Sequence, residues 1–339
     1  MSYLRQRDYD RVILDAELQQ IINTDLGIQK MIELQAIAQA KAYVSQKYYT
    51  EWEFTDTNVY SQSAIYSAWN RVYLDFTSYD NTATYNIGAL VSNGLLQYYC
   101  KQNGVTGTFD ATKFYLLGSQ YDIWYIDYPY PLFDMETNYV AGNSVYWFGK
   151  VYTAVQGTPG LNRSDVLDAL IDAQVPTKNV FPDDVANGAK YWGIGVPYQV
   201  AAIAPNIPLT AYTAYSTLTT YNIGDKATSN GVLYVSQKNN NLNKPLTDIT
   251  SWLPVSWVSG DNRDQLVLDA VLNLVVYDLQ KRIMPDNISE TRKVAYELAK
   301  ETLKGLAHAN INADKLVAFE SGKGRTVSFG GITKNINVW

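Results

Sequence analysis

The sequence predicts an α+β multidomain chain. A split helical domain carries three small all-β inserted units, and an extended C-terminal arm follows. Three observations predict this. Apolar residues recur at helical spacing at both ends, over residues 1–57 and 258–310. Between them the periodicity gives way to Gly, Asn, Thr and Tyr, and a Tyr/Gly pattern repeats three times. Beyond residue 310 the chain turns polar and Gly-rich, with too few apolar residues for a core of its own.

In residues 1–57, Asp8 or Asp10 can cap a first helix carrying Val12, Ile13, Ala16, Leu18, Ile21 and Ile22. Asn23-Thr24-Asp25-Leu26-Gly27 reads as a turn. A second helix follows with Ile28, Met31, Ile32, Leu34, Ile37, Ala38 and Val44, ending around Lys47-Tyr48-Tyr49. Its alanine-rich middle permits close approach of a neighbouring helix. Both helices are too apolar for a lone pair.

From residue 58 to residue 257 the repeat dominates. Its copies are Tyr85-Asn86-Ile87-Gly88 with Gly94 and Tyr98, Tyr139-Val140-Ala141-Gly142 with Gly149 and Tyr152, and Tyr221-Asn222-Ile223-Gly224 with Gly231 and Tyr234. In each, Gly falls three residues after the first Tyr and the last Tyr thirteen after it. A strand, a Gly-bearing turn and a second strand fit that spacing. An aromatic strand closes each unit: Phe114-Tyr115, Tyr191-Trp192 and Trp252-Leu253-Pro254-Val255. The units are expected at 58–135, 136–209 and 210–257, the second with a helical insertion at 163–186 that Ser164 can cap. Tyr121 to Tyr125 reads as linker and edge strand, and Ala204 to Leu209, with two prolines, as a second linker.

Residues 258–310 read as a helical hairpin. Leu266, Ala270, Leu274, Tyr277 and Lys281 follow one i, i+4 line, with Leu268, Leu272, Val275 and Leu279 beside it, so most of the circumference needs cover. Ile283-Met284-Pro285 ends the helix, because proline disfavours helical geometry in the residue before it. Ser289 can cap the next helix, which carries Val294, Leu298, Leu303 and Leu306 and ends near His308-Ala309-Asn310. Each end thus leaves an apolar face that the other can cover. The arm, 311–339, alternates in Thr326-Val327-Ser328-Phe329, as a strand added to a neighbour would.

Composition bounds the chemistry. The 339 residues are 47% apolar with a net charge of −6, acids and bases being mixed, so no basic face advertises nucleic-acid binding. The single cysteine, Cys100, excludes an internal disulfide and a cysteine-rich metal site. The start has no secretory h-region, and Asp269, Asn273 and Asp278 interrupt the longest apolar run, so neither a leader nor a membrane span is expected. One histidine, His308, cannot build a triad or a His-based metal site, and it reads as a helix C-terminal residue. Asp183-Asp184 reads as a solvated loop pair. Gly322-Lys323-Gly324-Arg325 lacks P-loop spacing. No enzyme, cofactor or metal is implied.

Two sets of residues remain as candidate contacts. Lys281, Arg282, Arg292 and Lys293 flank the hairpin turn as a solvated helix end or a contact with DNA or a partner subunit, and Arg325, Phe329 and Trp339 lie in the arm as interface candidates. Trp147, Trp192, Trp252 and Trp257 read as core or protein interface of small β-units before they read as a sugar platform.

The outer pieces resemble the small helical head–tail connector (adaptor) proteins of tailed bacteriophages. The features carrying the likeness are Arg7-Asp8-Tyr9-Asp10 opening a helix, the long Ile28–Tyr49 helix, and the pair Asp264–Ile283 and Ser289–Ala309. It departs from them in the stretch 58–257 between the halves. The resemblance implies a structural virion protein, assembled in the host cytoplasm into a ring, a dodecamer, beneath the portal. Its partners would be further copies of itself, the portal protein and tail or other connector proteins, with genomic DNA passing through the lumen and no membrane. The repeat resembles the three-stranded chitin-binding-type carbohydrate-binding modules of families 5 and 12. The third copy is nearest, with Tyr221, Gly224-Asp225-Lys226, Asn230-Gly231, Leu233-Tyr234-Val235 and Trp252-Leu253-Pro254-Val255. Ala89 and Asn143 stand where that copy has Asp225, and the first copy closes with Phe-Tyr in place of Trp. This likeness implies, as the alternative, recognition of chitin-like or cell-surface glycans.

Overall fold

The computed structural model describes residues 3–22, 25–50, 52–127, 129–134, 137–158, 181–183, 185, 188–201, 203–283, 286, 288–308 and 310–316. The fold is mixed α+β, with helices and several small sheets. It divides into two compact units, Met1–Asp56 with Asn262–Trp339, and Thr57–Asp261. Arg325, Phe329 and Trp339, the rest of the arm from 317, the bulk of the 163–186 insertion and the Met284-Pro285 break lie outside the described residues.

In the helical unit, α1 (Gln6–Tyr9), α2 (Asp15–Ile22) and α3 (Leu26–Val44) come from the N-terminal stretch. A short α4 (Gly188–Tyr191) belongs to the β-rich unit, and α5 (Gln265–Ile283) and α6 (Glu290–Ala307) complete the helical one. Asp25 caps α3 by accepting from Gly27 N, and Ser289 caps α6 by accepting from Arg292 N. One apolar core draws on both ends: Leu18, Ile22, Ile32, Ala36, Ala40 and Val44 pack with Val271, Leu274, Val275, Leu303 and Leu306. The α5 helix is the central element, wholly buried at Val267, Val271, Leu272, Leu274, Val275 and Val276, as its wide apolar stripe requires.

A buried polar network joins the two stretches beneath that core. The Arg263 guanidinium, fully buried, donates to both oxygens of Asp8 at 2.7 and 3.1 Å and to the Tyr3 carbonyl at 2.7 Å. Glu53 accepts from the Tyr3 hydroxyl at 2.7 Å and from the backbone N–H of Asp264 at 3.0 Å. Asp264 in turn accepts from Leu266 N and Val267 N, capping α5. Asp8 does not cap the long first helix expected of it. That stretch is two helices, and Asp8 turns inward because Arg263 needs a carboxylate in the dry interior.

The β-rich unit contains β1 (Thr57–Val59), β2 (Ile65–Ser67), β3 (Arg71–Tyr73), β4 (Leu90–Asn93), β5 (Leu96–Cys100), β6 (Phe114–Ser119) and β7 (Ile123–Asp127). Then come β8 (Ser144–Trp147), β9 (Lys150–Thr153), β10 (Val196–Pro197), β11 (Gln199–Ala201) and β12 (Thr220–Tyr221). The last are β13 (Lys226–Ser229), β14 (Val232–Ser236), β15 (Asn241–Leu242) and β16 (Trp252–Ser259). Each sequence repeat is a hairpin, β4–β5, β8–β9 or β13–β14. The first Gly of each, at φ +94, +92 and +85, starts the hairpin in a conformation that side chains resist. Its N–H donates to Cys100, Ala154 or Ser236 in the returning strand.

Every hairpin is filled by the same three rings. Tyr85, Tyr139 and Tyr221 stack on Tyr79, Phe133 and Tyr215, six residues earlier, at 4.8, 5.9 and 6.0 Å. Phe114, Trp192 and Trp252 meet the earlier ring edge-on at 5.9, 5.6 and 5.5 Å. In each, the repeat tyrosine's hydroxyl accepts from the backbone N–H five residues before it, at Asp80, Asp134 and Ser216. A core this small rests on a few large rings because short strands offer little other apolar area.

The same construction occurs a fourth time. Tyr66 stacks on Tyr60 at 5.9 Å, its hydroxyl accepts from Ser61 N, and Trp257 meets it edge-on at 5.6 Å. Trp69, at φ +63, occupies the place of the first Gly. Thr57 pairs in parallel with Arg71, fourteen residues on, as Ser78 does with Ser92, Leu132 with Tyr146 and Ala214 with Thr228. Its hairpin is β3–β7, with the whole first unit inserted at the turn, and its closing strand is the second half of β16. The 58–135 stretch therefore holds one complete unit within part of another. The Tyr121–Tyr125 edge strand is corrected too: β7 is interior in the order β1-β3-β7-β16-β14-β13. The helical part begins at Asn262, not 258, because Val258 and Ser259 pair with Tyr125 and Trp124.

Candidate functional site

Of the four candidate tryptophans, the structure makes two pure core. Trp192 is 2% exposed and Trp252 is fully buried, with its indole N–H donating to the Lys244 carbonyl at 3.1 Å. Trp257 is half-buried, and its N–H donates to the Ile203 carbonyl at 2.8 Å. These three close the second, third and fourth units, and Trp192 and Trp252 offer no face to a sugar.

Trp147 differs. It is half-buried on β8, its indole N–H donating to Asp183 at 2.8 Å. Phe181 stacks on it at 5.4 Å and Phe148 meets it edge-on at 4.5 Å. Phe148 is 56% exposed at φ +44 in the Phe148-Gly149 turn. The matching turn of the third unit is Asn230-Gly231, with φ +48 and +77, the residues that such a turn favours. A phenylalanine there bears backbone strain of about 1 kcal/mol or more. The sequence pattern marks Trp147 but not its neighbours Phe148 and Phe181, because only the turn geometry brings them together.

The basic candidates separate likewise. Lys281 and Arg282 are exposed at the end of α5. Lys293 is exposed beside Glu290 at 3.4 Å. Arg292 is half-buried and donates to the Val12 carbonyl, so it ties α6 to the N-terminal stretch within the chain.

Two helix faces of the helical unit leave large apolar side chains in water. On α3 they are Met31 and Leu34, 48% and 54% exposed, on a line with exposed Ala38 and Ala42. On α6 they are Val294 and Leu298, 59% and 65% exposed. The α3 helix shows no exposed carboxylate, since Glu33 is buried where it accepts from Leu4 N, while Lys30 and Lys41 lie along one edge of the stripe. The α6 ridge is bordered by Glu290, Glu297 and Glu301, whose side chains are 81%, 62% and 64% exposed, each more so than the lysine it pairs with.

A cavity of about 240 Å³ in the β-rich unit is lined by Tyr60, Gln62, Asp75, Phe76, Thr77 and Leu90. Its one carboxylate is Asp75, and Tyr60, Gln62 and Thr77 complete its polar lining. Burial pushes the Tyr60 hydroxyl well above the usual phenol range, so it stays protonated as a hydrogen-bonding group. Among the described residues no group of three His, Cys, Asp or Glu is placed to hold a metal ion, and no helix is long and apolar enough to cross a membrane. No protein-family model matches the sequence, and no curated protein matches it.

Proposed function

We propose that the protein is a structural subunit of a tailed-bacteriophage virion, a head–tail connector that forms a ring beneath the portal and joins capsid to tail. The observation that carries this reading is a helical unit complete in its own core yet exposing Met31, Leu34, Val294 and Leu298. Apolar side chains clustered on an already closed domain favour protein contacts. The portal, tail proteins and further copies of the chain are the partners in this reading, with DNA passing through the lumen. The β-rich insertion would decorate the ring or meet other virion proteins. Mass measurement decides it: a ring in purified form or in assembled particles is expected, and a monomer in both would sink it.

A second reading, glycan recognition by the β-rich unit, is favoured by the strained, exposed Phe148 beside Trp147. Trp147→Ala should then abolish binding on a glycan array while circular dichroism is unchanged. Trp252→Ala is unsuitable, since that ring is core. Silence of the wild-type chain on the array would remove this reading.

A further inference from the structure

We propose that the cavity beside Tyr60 binds an alkylammonium group, the head of a lysine side chain or of a small free amine. The proposal goes beyond the connector and glycan readings and stands on the lining of the cavity alone. The first ring of each β-unit shows what sets this place apart. In the first and third units its hydroxyl donates to a backbone carbonyl, Tyr79 to Gly107 at 2.9 Å and Tyr215 to Lys244 at 2.6 Å. In the second unit the ring is Phe133, which has no hydroxyl to place. Tyr60 holds that position in the fourth unit, stacked on Tyr66. It is only 6% exposed, yet its hydroxyl meets no hydrogen-bond partner among the described residues. A hydroxyl held that deep without a partner costs stability, so the cavity it lines is where the partner belongs.

The rest of the lining selects the ligand. Asp75 carries its only charge, and it makes no ion pair or side-chain hydrogen bond among the described residues. Gln62 turns its amide nitrogen to the Gly88 carbonyl at 3.3 Å, which leaves its oxygen free. The hydroxyls of Tyr60 and Thr77 complete a set in which acceptors outnumber donors. An ammonium group supplies three donors, no acceptor and the opposite charge, whereas a sugar hydroxyl brings more acceptors than donors. Tyr60 and Phe76 stand at 79° with ring centroids 6.2 Å apart, and aromatic walls attract a cation. Phe76 and Leu90 give an alkyl stem an apolar surface. The wall is fixed in advance: Phe76 N donates to the buried Gln97 side chain at 3.0 Å, and Ser92 N to the Thr77 carbonyl at 2.9 Å. At about 240 Å³ the cavity is smaller than one that holds a drug-sized ligand, which suits a small head group.

Calorimetric titration of the full chain with n-butylammonium chloride tests this. Binding in the millimolar range that weakens as salt rises is expected, and n-butanol should not bind. A blocked peptide with one central lysine is titrated alongside. Binding by the peptide alone assigns the site to a partner's lysine, and binding by butylammonium alone to a free amine. Asp75→Asn should weaken binding about tenfold or more, with an unchanged circular-dichroism spectrum. Tyr60→Phe should weaken it too, yet leave the melting temperature of the unliganded chain unchanged or higher. Tyr215→Phe, which loses a hydrogen bond, should lower that temperature. Silence of both ammonium probes would overturn the proposal. So would equal binding of butanol or of a neutral sugar, or wild-type affinity in Asp75→Asn. Tyr60→Phe melting as low as Tyr215→Phe would also overturn it, since the Tyr60 hydroxyl would then be structural.

Discussion

Asp8 and Arg263 stand 255 residues apart in the chain and form a bidentate pair at 2.7 and 3.1 Å inside one helical core. The pair fixes where the N-terminal stretch enters the unit and where the chain returns to it. A planar guanidinium with two carboxylate contacts and a carbonyl contact holds both position and angle, which a hydrophobic contact would not.

Removing one partner should therefore be severe. Asp8→Ala leaves the Arg263 charge in a dry site and should destabilise the helical unit by about 3–5 kcal/mol. Arg263→Lys should also lose stability, since an ammonium cannot span both oxygens. Asp8→Ala with Arg263→Met should recover part of the loss. Helical unfolding followed at 222 nm measures this, and equal stability of single and double variants would refute the pairing as the latch.

The same closure predicts that the insertion is dispensable for the helical unit. Glu53 accepts from Asp264 N at 3.0 Å, so the chain leaves and re-enters at neighbouring points. Deleting residues 57–261 and joining Asp56 to Asn262 through a short flexible linker should leave a folded helical protein. Loop closure changes by only about 0.6 kcal/mol per doubling of length, so the junction is not the obstacle. A helical, cooperatively melting spectrum is expected from this product. A disordered one would show that the helices need neighbouring subunits.

How far the sequence revealed this follows from what periodicity can carry. Val271, Leu274 and Val275 announce a covered helix, and Ser289 announces where the next begins. The three Tyr/Gly repeats are legible because each hairpin is continuous and its Gly is required by the turn. The fourth is hidden for three physical reasons. Trp69 replaces its Gly, a whole unit interrupts its hairpin, and its closing ring, Trp257, is borrowed from a strand that also closes the third unit. The earlier rings Tyr79, Phe133 and Tyr215 were available at a constant six-residue offset, and Tyr60 before Tyr66 keeps it. Arg263 gave no such signal, because a lone arginine before a helix looks solvated until its carboxylate arrives from the other end of the chain. The exposed faces of α3 and α6 were the reverse case: Met31 and Leu34 read as core, and only the packed structure turns them outward.

The Phe148 turn gives a prediction with an unusual sign. Phe148→Asn puts into the left-handed position a residue that tolerates it, as Asn230 does in the third unit. The β-rich unit should gain roughly 1 kcal/mol. Little is lost with the ring, because it is mostly exposed. Thermal melting followed by tryptophan fluorescence checks this. A destabilised variant would mean that the contact with Trp147 outweighs the strain, and that Phe148 is structural rather than kept for a partner.

Acid should open the β-rich unit at two matched corners. Asp110 and Asp248 each stand four residues before a closing aromatic, Phe114 or Trp252, and each accepts from the N–H and hydroxyl of a threonine two residues on. For Asp110 the Thr112 hydroxyl and N–H hold the carboxyl below the usual carboxylate range. For Asp248 partial burial acts to raise it, and hydrogen bonds from Ser251 and Thr250 outweigh that and lower it. A carboxyl depressed in the folded state adds stability that is fully present above its unfolded value, near 3.9, and is lost as pH falls through the lower folded value. The unit should therefore keep constant stability from neutrality down to about pH 5 and weaken below about pH 4. Asp248→Asn should flatten that fall while lowering stability at pH 7, because the amide keeps the shape of the turn but gives up the charge-assisted bonds. Urea midpoints measured across pH for wild type and variant decide it, and parallel curves would clear Asp248 of the effect.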